Sequence, residues 1–199
     1  MYIPKLGDSI PKTNSVIKRA IGRFILWSYR WRIEGEVLNS KKFMVILAPH
    51  TSYWDFLTNM GTMLALGIHN RWFVADVFCW WPLGNFMRWL GGIPIDRNSP
   101  QDLVSFTIGK FTDHNELILA LYPEGTTRKA EKWKTGFWHI ARGADIPIQF
   151  LAVDYKNRVS VFGPVIRTSD DIEADMKKIQ TYFKDVIPKA SENFVGNYF

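Results

Sequence analysis

From residue 41 onward the chain switches repeatedly between short apolar runs and longer stretches of helical period. That alternation limits its fold more than any other feature. "KKFMVILAP" (41–49) reads as a buried strand, and "SYWDFLTNMGTMLAL" (52–66) as a helix with Ser52 at its N-cap. "RWFVADV" (71–77) is strand-like, "PLGNFMRWLGG" (82–92) a short helix ending in glycines, and "IPID" (93–96) extended. "PQDLVSFTIGKFTDH" (100–114) reads as a helix with Pro100 in its first turn, and "ELILALYPEG" (116–125) as a buried strand running into a turn. "TGFWHIARGAD" (135–145) is a helix closed by Gly143, and "IPIQFLAVDY" and "RVSVFG" are strands. A helix over 169–187 closes the series, with Ile172, Met176, Ile179, Phe183 and Val186 in register. Strands alternating with helices predict an α/β fold: a largely parallel central sheet flanked by helices.

The first 36 residues differ from the rest. In "SVIKRAIGRFILWSYRW", Val16, Ile17, Ala20, Ile21, Phe24, Trp27 and Trp31 share one broad helical face, flanked by Arg19, Arg23 and Arg30. This predicts an N-terminal basic amphipathic helix over 1–36 that anchors on a membrane surface, ahead of an α/β domain over 37–199. The competing reading is a terminal helix packed on the core with a solvated basic face. A further apolar stretch, "VFCWWPLGNFM" (77–87), is the next candidate anchor.

Composition bounds the function classes. The formal net charge of +6 favours anionic partners: lipid headgroups, phosphorylated substrates, nucleic acid or an acidic carrier protein. No nucleic-acid motif is recognisable, so nucleic acid is not expected as a partner. The single cysteine, Cys79, excludes an intramolecular disulfide and a cysteine-based metal cage. It sits in an apolar setting that suits an inert thiol. No stretch supplies the roughly 18 uncharged apolar residues of a spanning helix, and no secretory signal pattern opens the chain. The expected location is the cytoplasmic face of a membrane, held peripherally or monotopically.

In open α/β sheets ligands bind beyond the carboxyl ends of the strands. Three loops lie there: "APHTSYWD", "GGIPIDR" and "YPEGTTRK". In the first, His50 precedes a helix and Asp55 falls in its first turn. On a continuous helix a five-residue spacing would put the two 140° apart, taking about 100° per residue. They meet only if His50 stands outside the helix. A carboxylate on one ring nitrogen would fix the tautomer and leave the other as a general base. Asp55 has a structural reading as well, because Ser52 and Asp55 fit a capping box. No G-x-S-x-G elbow is present. A His–Asp pair without its own nucleophile suits a substrate hydroxyl attacking an activated carbonyl such as a thioester. Arg97 in the second loop can grip a phosphate, and the small residues, hydroxyls and cations of the third can bind an anion.

Together the loops resemble the sequence blocks of the glycerolipid acyltransferase family, of the lysophosphatidic acid acyltransferase type. His50-Thr-Ser-Tyr-Trp-Asp55 is similar to the His-x4-Asp block, "GGIPIDR" to the second block with Arg97 at its arginine position, and "YPEGTTR" to the third. "ADIPIQFLAV" resembles the fourth, with Pro147 in an apolar strand. The matched region runs from about residue 40 to 155, and "HTSYWDF" and "KWKTGFWHIA" resemble a compact bacterial branch. In the third block Thr127 stands where an arginine is expected, and Arg128 follows one place later. Either Arg128 substitutes from a shifted loop, or the arginine role is lost.

The resemblance implies acyl transfer from acyl-CoA or acyl-carrier protein to a hydroxyl of a lysophospholipid or related lysolipid. His50 would be the base and Asp55 would orient it. Arg97, Glu124, Gly125, Thr126 and Arg128 would lie near the acceptor phosphate. Backbone N–H groups near the helix start are expected to steady the oxyanion. No metal and no cofactor beyond the acyl donor are expected. Two other classes compete. One is a metal-dependent hydrolase with ligands among His50, Asp55, Asp113, His114 and Glu124. The other is a non-enzymatic basic module on membranes.

Overall fold

The computed structural model describes residues 3–95, 100–130 and 132–193. Among these residues seven strands form one sheet: β1 (Arg32–Gly35), β2 (Lys42–Ala48), β3 (Asn70–Ala75), β4 (Gly92–Ile95), β5 (Leu117–Leu121), β6 (Ile148–Asp154) and β7 (Val159–Ile166). The spatial order is β1-β7-β6-β2-β5-β3-β4. From β6 through β2, β5 and β3 to β4 every pairing is parallel. β7 pairs antiparallel with β6, and β1 lies parallel to β7 at the edge. The expected largely parallel α/β sheet is therefore present.

Helices cover both faces, and this explains why the central strands read as unbroken apolar runs. Met44, Ile46 and Ala48 of β2 face a core that Phe111 of α4 (Pro100–Asp113), Phe137 of α5 (Gly136–Gly143) and Ile179 of α6 (Ile172–Phe183) complete. Phe43, Val45 and Leu47 point the other way, onto Leu26 of α1 (Val16–Ser28) and Met63 of α2 (Tyr53–Leu66). The short α3 (Leu83–Trp89) leads into β4. α6 is tied down by the buried Asp175, which accepts from the Trp138 indole at 3.0 Å and the Ser169 amide at 2.6 Å.

The N-terminal segment is organised differently from the expected single helix. α1 ends at Ser28, and residues 32–35 form β1 within the sheet. Trp31 is off the helix and buried, its indole donating to Ser160 Oγ at 2.9 Å. β3 is also shorter than expected: Asp76–Phe78 form a single 3₁₀ turn. α1 docks on α2 through its small side. A Cβ on Gly22 would lie 2.3 Å from the Ala65 nitrogen and 2.7 Å from the Gly61 oxygen, so the two backbones touch. Val16, Ile17, Ala20, Ile21, Phe24 and Trp27 consequently face outward, with Trp27 69% exposed. Among the described residues no helix is long and apolar enough to cross a membrane.

Gly22→Val has no room against α2 and forces the helices apart. The expected cost is roughly 1–3 kcal/mol or more, the range for overpacking a close contact. A urea melt reads it; an unchanged midpoint would contradict the backbone contact. Asp175 adds an acid dependence. Burial alone would raise its pKa, but the Ser169 and Trp138 hydrogen bonds and nearby Lys178 outweigh this and hold it below the usual carboxylate range. A depressed folded pKa stabilises the fold above the unfolded value, and that stability is lost as pH falls through the folded one. Melts at falling pH should show part of the acid loss disappearing in Asp175→Asn.

Candidate active site

β2 and β5 lie side by side in parallel register, with Ile46 opposite Leu121. The segments that leave their carboxyl ends therefore emerge together. One carries His50, and the other carries Tyr122 and Glu124. The His50 amide donates to Glu124 Oε2 at 2.6 Å, so the two loops are joined directly. Glu124 is buried, and a carboxylate there is stabilised by such a donor. The His50 ring stacks on Tyr122, with centroids 3.8 Å apart and planes 18° apart.

Asp55 answers the question of whether it caps a helix or orients a histidine: it does both. α2 starts at Tyr53, so His50 stands outside the helix and Asp55 is the third helical residue. Its Oδ2 accepts the Thr51 amide at 2.6 Å and the Ser52 amide at 2.8 Å, completing a capping box. The same oxygen lies 3.3 Å from His50 Nδ1. Asp55 is 0% exposed, while the His50 side chain keeps 15% exposure. With Nδ1 turned to the carboxylate, Nε2 is the ring nitrogen left for a ligand. Two tyrosines back the pair. Burial, then the Asp55 charge, pushes the Tyr122 hydroxyl well above its ordinary pKa, and the same two causes raise that of Tyr155. Both remain neutral phenols at working pH. Asn59 of α2 donates to the Tyr122 hydroxyl.

This arrangement engages most of the N–H groups at the helix start, but not that of Tyr53, which lines the cavity. The His50 amide is engaged by Glu124, and those of Thr51 and Ser52 by Asp55. The Trp54 amide is engaged by Ser52 Oγ.

His50 opens onto a cavity of about 770 Å³. One side is walled by Phe56, Met60 and Trp72, from α2 and β3, and the other by Val104, Phe137 and Ile140, from α4 and α5. An apolar chain fits such a lining, and Tyr122 and Asn59 lie at its His50 end. Gly125 lines the cavity with φ +66°, a left-handed conformation that favours glycine. Thr126 and Arg128 do not line it: Thr126 Oγ1 accepts the Arg128 amide at 3.1 Å, and Arg128 is exposed. Arg97 lies outside the described residues. Pro147 precedes β6 at the opposite edge of the sheet, where its carbonyl accepts from the Met44 amide at 2.9 Å. The hydrolase ligand set is not assembled. Asp113 and His114 sit at the end of α4, by the start of β5, and no group of three metal-binding side chains occurs among the described residues.

Sequence reasoning missed Tyr122, Asn59, Tyr155 and Lys134. Tyr122 was within reach: a parallel β2–β5 pairing alone places the residue after Leu121 beside the exit of β2. The dual role of Asp55 has a consequence for stability. Asp55→Ala strips acceptors from two backbone amides and removes the cap, an expected loss of about 2–4 kcal/mol. Asp55→Asn keeps an acceptor oxygen and should lose less. Urea denaturation of the two variants checks this; equal losses would contradict it.

A family profile described as Acyltransferase matches residues 30–154, more than half of the chain. The fold is similar to the crystal structure of the 1-acyl-sn-glycerophosphate (LPA) acyltransferase, PlsC, from Thermotoga maritima. The TM-score is 0.61 at 14% identity, over 83% of this chain and 74% of that one. Comparison with curated proteins gives no match. The profile covers β2, the His50–Asp55 loop, the cavity walls and the Glu124 loop, and on that ground the chain belongs to the acyltransferase family.

Proposed function

We propose that the protein transfers a fatty acyl group from an acyl thioester, acyl-CoA or acyl-carrier protein, to a hydroxyl of a lysophospholipid or related lysolipid. The observation that carries this reading is the His50–Asp55 pair at the mouth of a largely apolar cavity. His50 Nε2 takes the proton of the acceptor hydroxyl, and the oxygen attacks the thioester carbon. Asp55 holds Nδ1–H and stabilises the imidazolium that forms. Collapse of the tetrahedral intermediate breaks the carbon–sulfur bond, and the leaving thiolate receives the proton from Nε2. The cavity takes the acyl chain, and no further cofactor enters the scheme. The 1-acylglycerol-3-phosphate reaction named for the Thermotoga maritima enzyme is the acceptor chemistry we favour.

The surface around the site fits a lipid-borne acceptor. The outward face of α1 presents Val16, Ile17, Phe24 and Trp27. Lys18 of α1 lies 4.7 Å over the Trp89 ring, joining α1 to α3; Phe86 of α3 and the preceding Trp80 and Trp81 are exposed. At the other end Tyr29 contacts the Trp54 ring at 5.6 Å, next to Tyr53 at the cavity. An exposed aromatic surface of this kind, with Arg23 and Lys18 nearby, suits the interface of an anionic membrane. The protein would lie on that surface, on its cytoplasmic face, without crossing it.

Purified protein given acyl-CoA or acyl-carrier protein with a lysolipid panel should yield a diacyl product by mass spectrometry. His50→Ala should lose it while remaining folded, and Asp55→Asn should lower kcat about 10²–10⁴-fold. A folded His50→Ala variant that retains turnover would overturn the assignment. Phe24→Ser with Trp27→Ser should weaken sedimentation with anionic vesicles while leaving the melt unchanged, since neither side chain is in the core. Unchanged sedimentation would place the anchor elsewhere.

A further inference from the structure

The third loop poses a problem of charge. Thr127 occupies the place where the family resemblance puts an arginine, and Arg128 is exposed and does not line the cavity. Among the described residues one lysine and no arginine lines the cavity, and that lysine is Lys134. The chain returns to the site at this point. The Lys134 amide donates to the Pro123 carbonyl at 2.8 Å, which fastens the approach to α5 onto the start of the Glu124 loop. The side chain then lies across Gly125. A Cβ built on Gly125 would meet Lys134 Cε at 3.1 Å and both Cδ and Nζ at 3.2 Å. Glycine at 125 thus serves the left-handed turn and leaves space for the lysine stem. The ammonium has no hydrogen-bond or ion-pair partner among the described residues.

We propose that Lys134, held over Gly125, forms an anion subsite of this cavity that takes the phosphate ester of the acceptor. The inference rests on the acyl-transfer reading for its substrate. Its geometry is independent of that reading. Gly125 follows Glu124, whose carboxylate holds the His50 amide, so the cation sits one residue along from the group that positions the base. In a glycerophosphate acceptor the reacting hydroxyl and the phosphate are separated by only a few bonds. A cation lining the same cavity as the base, over the residue after Glu124, would meet the acceptor phosphate while the hydroxyl reaches Nε2. The donor also carries phosphates, but the pantetheine arm sets them far from the thioester. A free, hydrated ammonium on a flexible stem is a point charge for phosphate and needs no preset fork.

The test compares two acceptors of equal chain length, lysophosphatidate and the neutral monoacylglycerol, with wild type, Lys134→Met and Lys134→Arg. Loss of one charge-assisted contact to phosphate is expected to raise KM for lysophosphatidate about 10- to 100-fold in Lys134→Met. Lys134→Arg should recover most of it. Donor KM and turnover of monoacylglycerol should not move. An unchanged lysophosphatidate KM, an equal loss with both acceptors, or a rise in donor KM would each overturn the proposal. A turnover-free measurement separates it from the reaction itself. Short-chain lysophosphatidate titrated into His50→Ala protein should bind at least tenfold more weakly when Lys134→Met is added. If that difference appears and no acceptor is acylated by wild type, the subsite stands and the acyl-transfer reading fails. If acylation proceeds and the difference is absent, the subsite fails and the reaction stands.

Discussion

One oxygen of a fully buried carboxylate, Asp55 Oδ2, gathers the amides of Thr51 and Ser52 and the Nδ1 edge of His50. A buried charge is costly unless it is paired and hydrogen-bonded, and here the partners are the backbone of the loop itself. That fixes the start of α2, the path of the chain after β2 and the orientation of the imidazole together. The second loop is fastened to the first by the same logic: the Glu124 carboxylate accepts the His50 amide. Tyr122 closes the other side by stacking on the ring. The histidine is thus held by an acid, an aromatic face and its own backbone before any substrate arrives, the kind of preorganisation that a general base needs.

The sheet makes this arrangement possible because adjacent parallel strands deliver their loops to one edge. β2 and β5 are neighbours, and helices cover both faces, so the cavity forms where α2 on one side and α4 and α5 on the other diverge at that edge. α1 is joined to the domain by the close approach of Gly22 to α2, with its aromatic face turned out. The surface that would meet lipid and the cavity that would take an acyl chain are therefore built on the same helix, α2, one through its contact with α1 and the other through Phe56 and Met60.

Much of the fold was legible because a strand buried on both faces reads as a continuous apolar run, and a capped helix announces its start with Ser52 and Asp55. The meeting of His50 and Asp55 was legible for the same reason: only a strand–loop–helix brings a five-residue spacing together. The orientation of α1 was not. Its period locates an apolar stripe, but the docking face is centred on Gly22, which carries no hydropathy signal. β1 was hidden because four residues of an edge strand, burying only Ile33, have too little pattern to separate from a helix end. The fate of the oxyanion donors depends on which amides Asp55 engages, a matter of ångströms. Lys134 reaches Gly125 through a loop whose path no local pattern encodes.

With Nδ1 facing the Asp55 carboxylate, the His50 proton would be held on Nδ1 and Nε2 would be left as the basic nitrogen. A long-range ¹H–¹⁵N spectrum of the imidazole, recorded above the histidine titration and assigned by His50→Ala, reads this directly. A protonated Nδ1 and a bare Nε2 are expected in wild type, with the preference reduced or reversed in Asp55→Asn. A wild-type ring carrying its proton on Nε2 would contradict this assignment.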